Sequence, residues 1–232
     1  MDEELKKQII DEMNSVVKSR ISFINQNYVH VRNSYKTGYY SPELDPLRHE
    51  ICLCLIFGLN QAAITLTNHF FETLFKFALI IKDSKLHDTS PETSSPTVDS
   101  FIKTIEPAFD KYNSKDLGDN INRACTLGLV TKEQKKELQQ FREDFRNAFS
   151  HSDKEKTFRD GTIPAQAISV EGDQLKTGNV EETDITKLIF AQGILQADQA
   201  KVEAIPYFLY MDNIARQILK KLFGDNYNVV AG

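Results

Sequence analysis

Apolar residues at Leu5, Ile9, Met13, Val16, Val17, Ile21 and Ile24 recur at steps of three and four. That spacing lines them along one face and predicts an N-terminal helix over residues 2–25. "RNSYKTGYYSPELDP" then interrupts the pattern with Gly38, Pro42 and Pro46. Asp45-Pro46 reads as a helix N-cap followed by proline in the first turn, where its missing N–H is not needed. A long helix is expected to follow over 46–82, apolar on most sides through residue 59 and again from Phe70 to Ile81. A helix apolar nearly all round belongs in the middle of a bundle.

Residues 83–100, "DSKLHDTSPETSSPTVDS", are polar and rich in Ser, Thr and Pro, the composition of an exposed connector. Two shorter helices are expected at 99–112 and 115–127, with a stop at Gly128. Thr131 and Gln134 form a T-x-x-Q capping box, which opens a further helix running to about residue 150. Across 153–182 the helical period disappears. "GTIPAQAISVEGDQLKTGNV" predicts a loop or small β-hairpin that turns at Gly172-Asp173. Helical spacing returns at Val202, Ile205, Phe208, Met211, Ile214, Ile218 and Leu222, and Pro206 is expected to kink or divide that helix. The fold class read from this pattern is all-α, a helical bundle with an irregular or β-hairpin insertion around 153–182.

Composition narrows the function. The chain has 232 residues, 41% hydrophobic and 26% charged, with a formal net charge of −5. A general DNA-coating protein needs a basic surface, so that class is disfavoured. A local basic patch remains compatible. Residues 132–159 carry eight Lys or Arg against six acids, so this segment is +2 while the remainder is −7. The three cysteines, Cys52, Cys54 and Cys125, make an odd count without a C-x-x-C pair, so no disulfide framework or metal site is expected. "ICLCLIFGL" is too short to cross a bilayer and reads as buried helix. "MDEELKKQII" lacks a signal-peptide core, and a cytoplasmic protein is expected.

"FRNAFSHSD", residues 145–153, sits at the end of the helix opened by Thr131. On an ideal helix of about 3.6 residues per turn, Leu138, Phe141, Phe145 and Phe149 form the core-facing stripe. Asn147 and His151, four apart, neighbour each other on the other side, and Arg146 lies on the flank one turn after Arg142. This placement weighs against His151 as a core histidine. Two readings stay open. Arg and His at a helix C-terminus offset the macrodipole, so the group is a solvated tip. Alternatively it is a phosphate-handling site, with a bidentate Arg and a His that moves protons near neutral pH.

Arg146-Asn147-Ala-Phe-Ser-His151 has the R-x4-H form, with a polar residue after the Arg, of the HEPN (higher eukaryotes and prokaryotes nucleotide-binding) superfamily. "LNQAAITLTNHFFETLFKFAL" resembles the long second helix of that family. "LGLVTKEQKKELQQFREDFRNAFSH" resembles its motif-bearing third helix, and "YFLYMDNIARQILKKLF" its closing helix. The resemblance covers residues 46–151 and 200–223. The N-terminal helix stands outside it, and residues 153–199 depart from a minimal HEPN bundle as an elaboration able to shape the site.

The resemblance implies a helical bundle that pairs as a homodimer, bringing two motifs into one cleft. Active members are metal-independent endoribonucleases, often toxins or anti-phage and stress effectors. Others are non-catalytic dimerisation or nucleotide-binding modules. The implied catalytic residues are Arg146, Asn147 and His151, with Arg142, Ser150 and Glu72 on the substrate side. No metal or cofactor is implied. The implied partners are a second copy, RNA or a nucleotide, and an antitoxin or regulatory protein, with no membrane. The chemistry suits the residues: His151 acts on the 2′-OH, Arg146 offsets charge on the phosphoryl oxygens, and Asn147 orients either. On an ideal helix Arg146 and His151 diverge by about 140°, which a site built from two symmetry-related helices resolves.

Other polar residues are weaker candidates. His69 and Glu72 lie about one turn apart on the long apolar helix, either lining a cleft or forming a solvated stripe. His30 and His49 have no partner at catalytic spacing, and His87 lies in the polar connector. Arg32-Asn33 starts the same motif without a His at 37–39. Tyr39 and Tyr40, beside Lys36, either stack on bases or pack on the bundle. No H-E-x-x-H, Walker A, G-x-S-x-G or dinucleotide motif is present.

Overall fold

A computed structural model of the chain describes residues 2–84, 98–147, 161–171, 174–184 and 192–224. The order is α1 (Glu3–Lys36), α2 (Asp45–Ile56), α3 (Asn60–Ser84), α4 (Val98–Asn113), α5 (Leu117–Thr126), α6 (Lys132–Phe141), a π-helical turn (Arg142–Asn147), β1 (Thr162–Glu171), β2 (Gln174–Asp184) and α7 (Gln192–Phe223). The fold is mostly helical with a two-stranded antiparallel hairpin, as the hydrophobic pattern predicts.

α3 forms the centre, packing against α2, α4, α5, the π turn and α7. Its buried residues, among them Ile64, Phe71, Leu74, Phe75 and Ala78, recur at helical spacing. By length and composition α3 alone among the described helices could cross a membrane, but half of its most apolar window is buried inside the bundle.

Several boundaries differ from the sequence expectation. The helix expected over 46–82 is two helices. α2 ends at Ile56, two residues before Gly58, whose φ is +71° and where a Cβ would meet the Phe23 ring at 3.0 Å. Gly58 N donates to Leu55 O at 3.0 Å and Leu59 N to Cys54 O at 2.8 Å, the two bonds of a Schellman cap. Asp45 is the first residue of α2 rather than its cap. Its carboxylate instead accepts from Tyr39 N at 2.8 Å and Ser41 N at 3.0 Å, fastening the preceding turn. α1 runs on to Lys36, because Val31 and Ser34 are buried at its far end. Pro206 does not divide α7. It lies on the exposed side of the helix, as does Val202, whose carbonyl is the one deprived of an N–H partner.

Local signals held elsewhere. Gly128 (φ +74°) ends α5 with the same pair of cap bonds. Thr131 and Gln134 form the capping box, with reciprocal bonds of 3.1 and 2.9 Å. The hairpin pairs Glu171 with Gln174, and the turn expected at Gly172-Asp173 lies outside the described residues.

A buried polar network ties the α1–α2 connection to α7. Asp212 accepts from the Tyr39 hydroxyl, from Ser34 Oγ at 3.0 Å and from Arg216 Nε at 2.9 Å. The Tyr39 ring contacts the guanidinium groups of Arg48 and Arg216, each 5.3 Å from its centroid. Tyr39 is therefore a packing residue, whereas Tyr40 is exposed.

Candidate functional site

The segment carrying the motif is not an ordinary α-helix. From Arg142 to Asn147 the backbone forms a π turn, with a hydrogen-bonded ring one residue wider than the α ring. The four-residue stacking assumed for an ideal helix therefore does not apply here. π turns cost regularity and recur at functional sites. This one is held by aromatics. Phe145 stacks on Tyr207 with centroids 4.3 Å apart, and Phe141 packs against Phe145, Tyr207 and Tyr210. Asn68 of α3 completes it. Its Nδ2 donates to Phe145 O at 3.2 Å and its Oδ1 accepts from Tyr207 Oη at 2.8 Å. Burial, and then the Glu72 charge, push the Tyr207 hydroxyl far above its usual pKa, so it remains a donor.

Asn68, Glu72 and Lys76 follow at four-residue steps and form one row on α3. Glu72 Oε1 accepts from Arg146 Nε at 2.8 Å, with both side chains about one-third exposed. The structure thus brings together two residues that the sequence places 74 positions apart. Arg146 and Glu72 open onto a cleft of about 300 Å³, lined also by Lys76, Lys115, Asp116 and Asn120. The wall opposite the π turn is the α4–α5 connection and the start of α5.

Arg142 takes a different position. A Cβ on Gly118 would sit 2.1 Å from Arg142 Nη1, so the guanidinium occupies space that only glycine leaves open. Its Nη2 donates to Glu143 Oε1 at 2.5 Å, and its buried Nε has no partner among the described residues. Asn147 closes the π turn. Its side chain, together with Ser150 and His151, lies outside the described residues. His69, one residue after Asn68, is exposed. His49 stacks on Tyr35 at 5.1 Å.

Of the residues lining this cleft, sequence reasoning singled out Arg146 and Glu72 and missed the others, Lys76, Lys115, Asp116 and Asn120 among them. The four-residue step from Asn68 through Glu72 to Lys76 was a legible signal for Lys76. Asn120 is 1% exposed, and neither Oδ1 nor Nδ2 has a partner among the described residues. Such an amide costs about 1–3 kcal/mol. A broader depression of about 650 Å³ lies between Cys125 and Lys132–Glu143, but its lining includes neither Arg146 nor Glu72.

Compared with protein families, with curated proteins and with solved structures, the chain matches none.

Proposed function

We propose that this protein is a metal-independent endoribonuclease of HEPN type, acting as a homodimer. The observation that supports this reading is the placement of Arg146. It leaves a π turn, is oriented by Glu72, and stands at a polar cleft that also contains Lys76 and Lys115. A cation positioned in advance can stabilise a phosphorane-like transition state without reorganising. In the proposed reaction, His151 takes the proton of a ribose 2′-OH. The 2′ oxygen forms a bond to phosphorus and the P–O5′ bond breaks, leaving a 2′,3′-cyclic phosphate. The leaving O5′ takes up a proton from water or from a histidinium. Asn147 orients the phosphate or His151. Such an activity fits a role in stress response, as a toxin or in phage defence, with an antitoxin or regulator as partner.

Support for pairing comes from α1. Leu5, Ile10, Met13, Val16, Val17 and Ile21 are all at least 45% exposed and line one face. An apolar stripe of this kind, interrupted only by Lys6 and Arg20, marks an interaction surface. The opposite face mixes Glu4, Lys7, Asp11, Glu12 and Lys18, unlike the basic face of a helix lying on anionic lipid. A second α1 presents the same apolar stripe and covers it by two-fold pairing.

One observation favours a second reading. Arg146 is already paired with Glu72, as in a non-catalytic module whose motif is a structural hydrogen-bond cluster. A gel assay separates the two. The parent protein and His151→Ala are incubated with single-stranded and transfer RNA in EDTA. Cleavage by the parent alone supports the nuclease. Cleavage by neither supports the module.

A further inference from the structure

We propose that the cleft between α3, the α4–α5 connection and the π turn holds a nucleotide phosphate on Lys76 and Lys115, with Asn120 contacting the sugar or base beside it. This rests on the reading of Arg146 as an RNA contact and extends the site away from the motif.

The charges in the cleft are unevenly satisfied. Its acids are engaged: Glu72 accepts from Arg146 at 2.8 Å, and Asp116 Oδ1 accepts from Asp119 N at 2.9 Å as the cap of α5. The α5 N-terminus is thus closed by its own cap and is not the anion site. Lys76 and Lys115 have no side-chain hydrogen bond or ion pair among the described residues. The lining carries three cations, Lys76, Lys115 and Arg146, against two carboxylates, Glu72 and Asp116, a local excess of one positive charge on a chain of net charge −5.

Asn120 argues for what accompanies the phosphate. Its amide is buried with donor and acceptor both unused. A bare anion offers no donor for Oδ1, whereas a nucleotide carries both donors and acceptors next to its phosphate. A second basin of about 370 Å³ shares Lys115 and Asn120 and continues past Lys111 and Arg123, which both pair with Asp83. Two open basins that meet at the same residues suit a strand passing through better than a small enclosed ligand.

The test measures binding of a short fluorescent single-stranded RNA to full-length His151→Ala protein, by anisotropy across a salt series. Lys76→Gln/Lys115→Gln in that background is expected to bind at least about tenfold more weakly. Its log–log salt slope should flatten by about 0.7, the value for one single-strand phosphate. Lys18→Gln, on the far helix, should leave both unchanged. Asn120→Leu removes an unpaired amide at similar volume. It is expected to weaken RNA binding while the melting temperature holds or rises, an outcome a purely structural Asn120 would reverse. AMP as competitor distinguishes the source: displacement that depends on the same lysines assigns the phosphate site to free nucleotide. Unchanged affinity and slope in the double variant, or no RNA or AMP binding at all, overturns the proposal. Failure of the nuclease reading shows separately, as absence of EDTA-resistant cleavage while lysine-dependent binding persists.

Discussion

Arg146 and Glu72 form the ion pair lining the polar cleft on which the proposed chemistry rests. The Glu72 carboxylate holds the guanidinium of Arg146 by its Nε, at 2.8 Å, and so fixes how the planar fork is set in the cleft. In the proposed reaction Glu72 is a positioning residue, and its negative charge would repel the phosphate that Arg146 engages. Glu72→Gln keeps the shape and removes the charge. Under the nuclease reading, kcat should fall about 10- to 100-fold, the scale of a small misplacement of a reacting partner. RNA affinity should hold or tighten, because an anion has left the cleft. Parallel loss of kcat and affinity would show that Glu72 touches substrate rather than positioning Arg146. None of this pairing was legible in the sequence. Each residue was singled out there, but the partner of a charged side chain is decided by which helices meet.

The helices are joined by polar clamps at their ends. Asp83, in the last turn of α3, accepts from Lys111 Nζ at 2.6 Å and Tyr112 Oη at 2.5 Å, with Arg123 of α5 at 3.7 Å. Burial raises the carboxyl pKa, but the two hydrogen bonds outweigh it and hold Asp83 below its ordinary value. A depressed folded pKa contributes stability above the unfolded value and loses it as pH falls through the folded one. Asp83→Asn should therefore cost about 1–3 kcal/mol near neutral pH. The deficit should persist down to about pH 4, near the usual Asp pKa, and shrink below it. Urea denaturation of parent and variant across that range checks the claim, and a pH-independent deficit would refute it. At this scale the sequence was partly informative. Caps at Gly128 and Thr131–Gln134 are built from neighbouring residues, so they could be read directly. The break at Gly58 was missed because apolar periodicity carries through it on both sides.

Over the whole molecule, the N-terminal half of α1 is the part least accounted for by one copy. Among the described residues of this 34-residue helix, only Val31 and Ser34 are buried. Helices gain most of their stability from a packed face, so an unpacked stripe of this length calls for a covering surface. Met13→Glu with Val17→Glu should convert a dimer to a monomer in sedimentation velocity and lower helicity by circular dichroism. A parent protein that sediments as a monomer would remove the support for pairing through α1.

The sequence by itself determined the helical class, the hairpin region, the caps closed by adjacent residues and the amphipathic stripe of α1. All of these depend on spacings within a few turns of chain, where backbone geometry dictates the neighbours. Tertiary structure alone decided that 142–147 would open into a π turn. Phe145 and Phe141 satisfy the aromatic wall of α7 and Asn68 supplies a hydrogen bond from α3, and these compensate for the lost α geometry. It also decided that Arg146 would meet Glu72, that Asp212 would gather Ser34, Tyr39 and Arg216, and that Asn120 would be buried beside two lysines. Those contacts join residues far apart in the chain, and no local pattern encodes which of many polar side chains will be brought together when the apolar faces close.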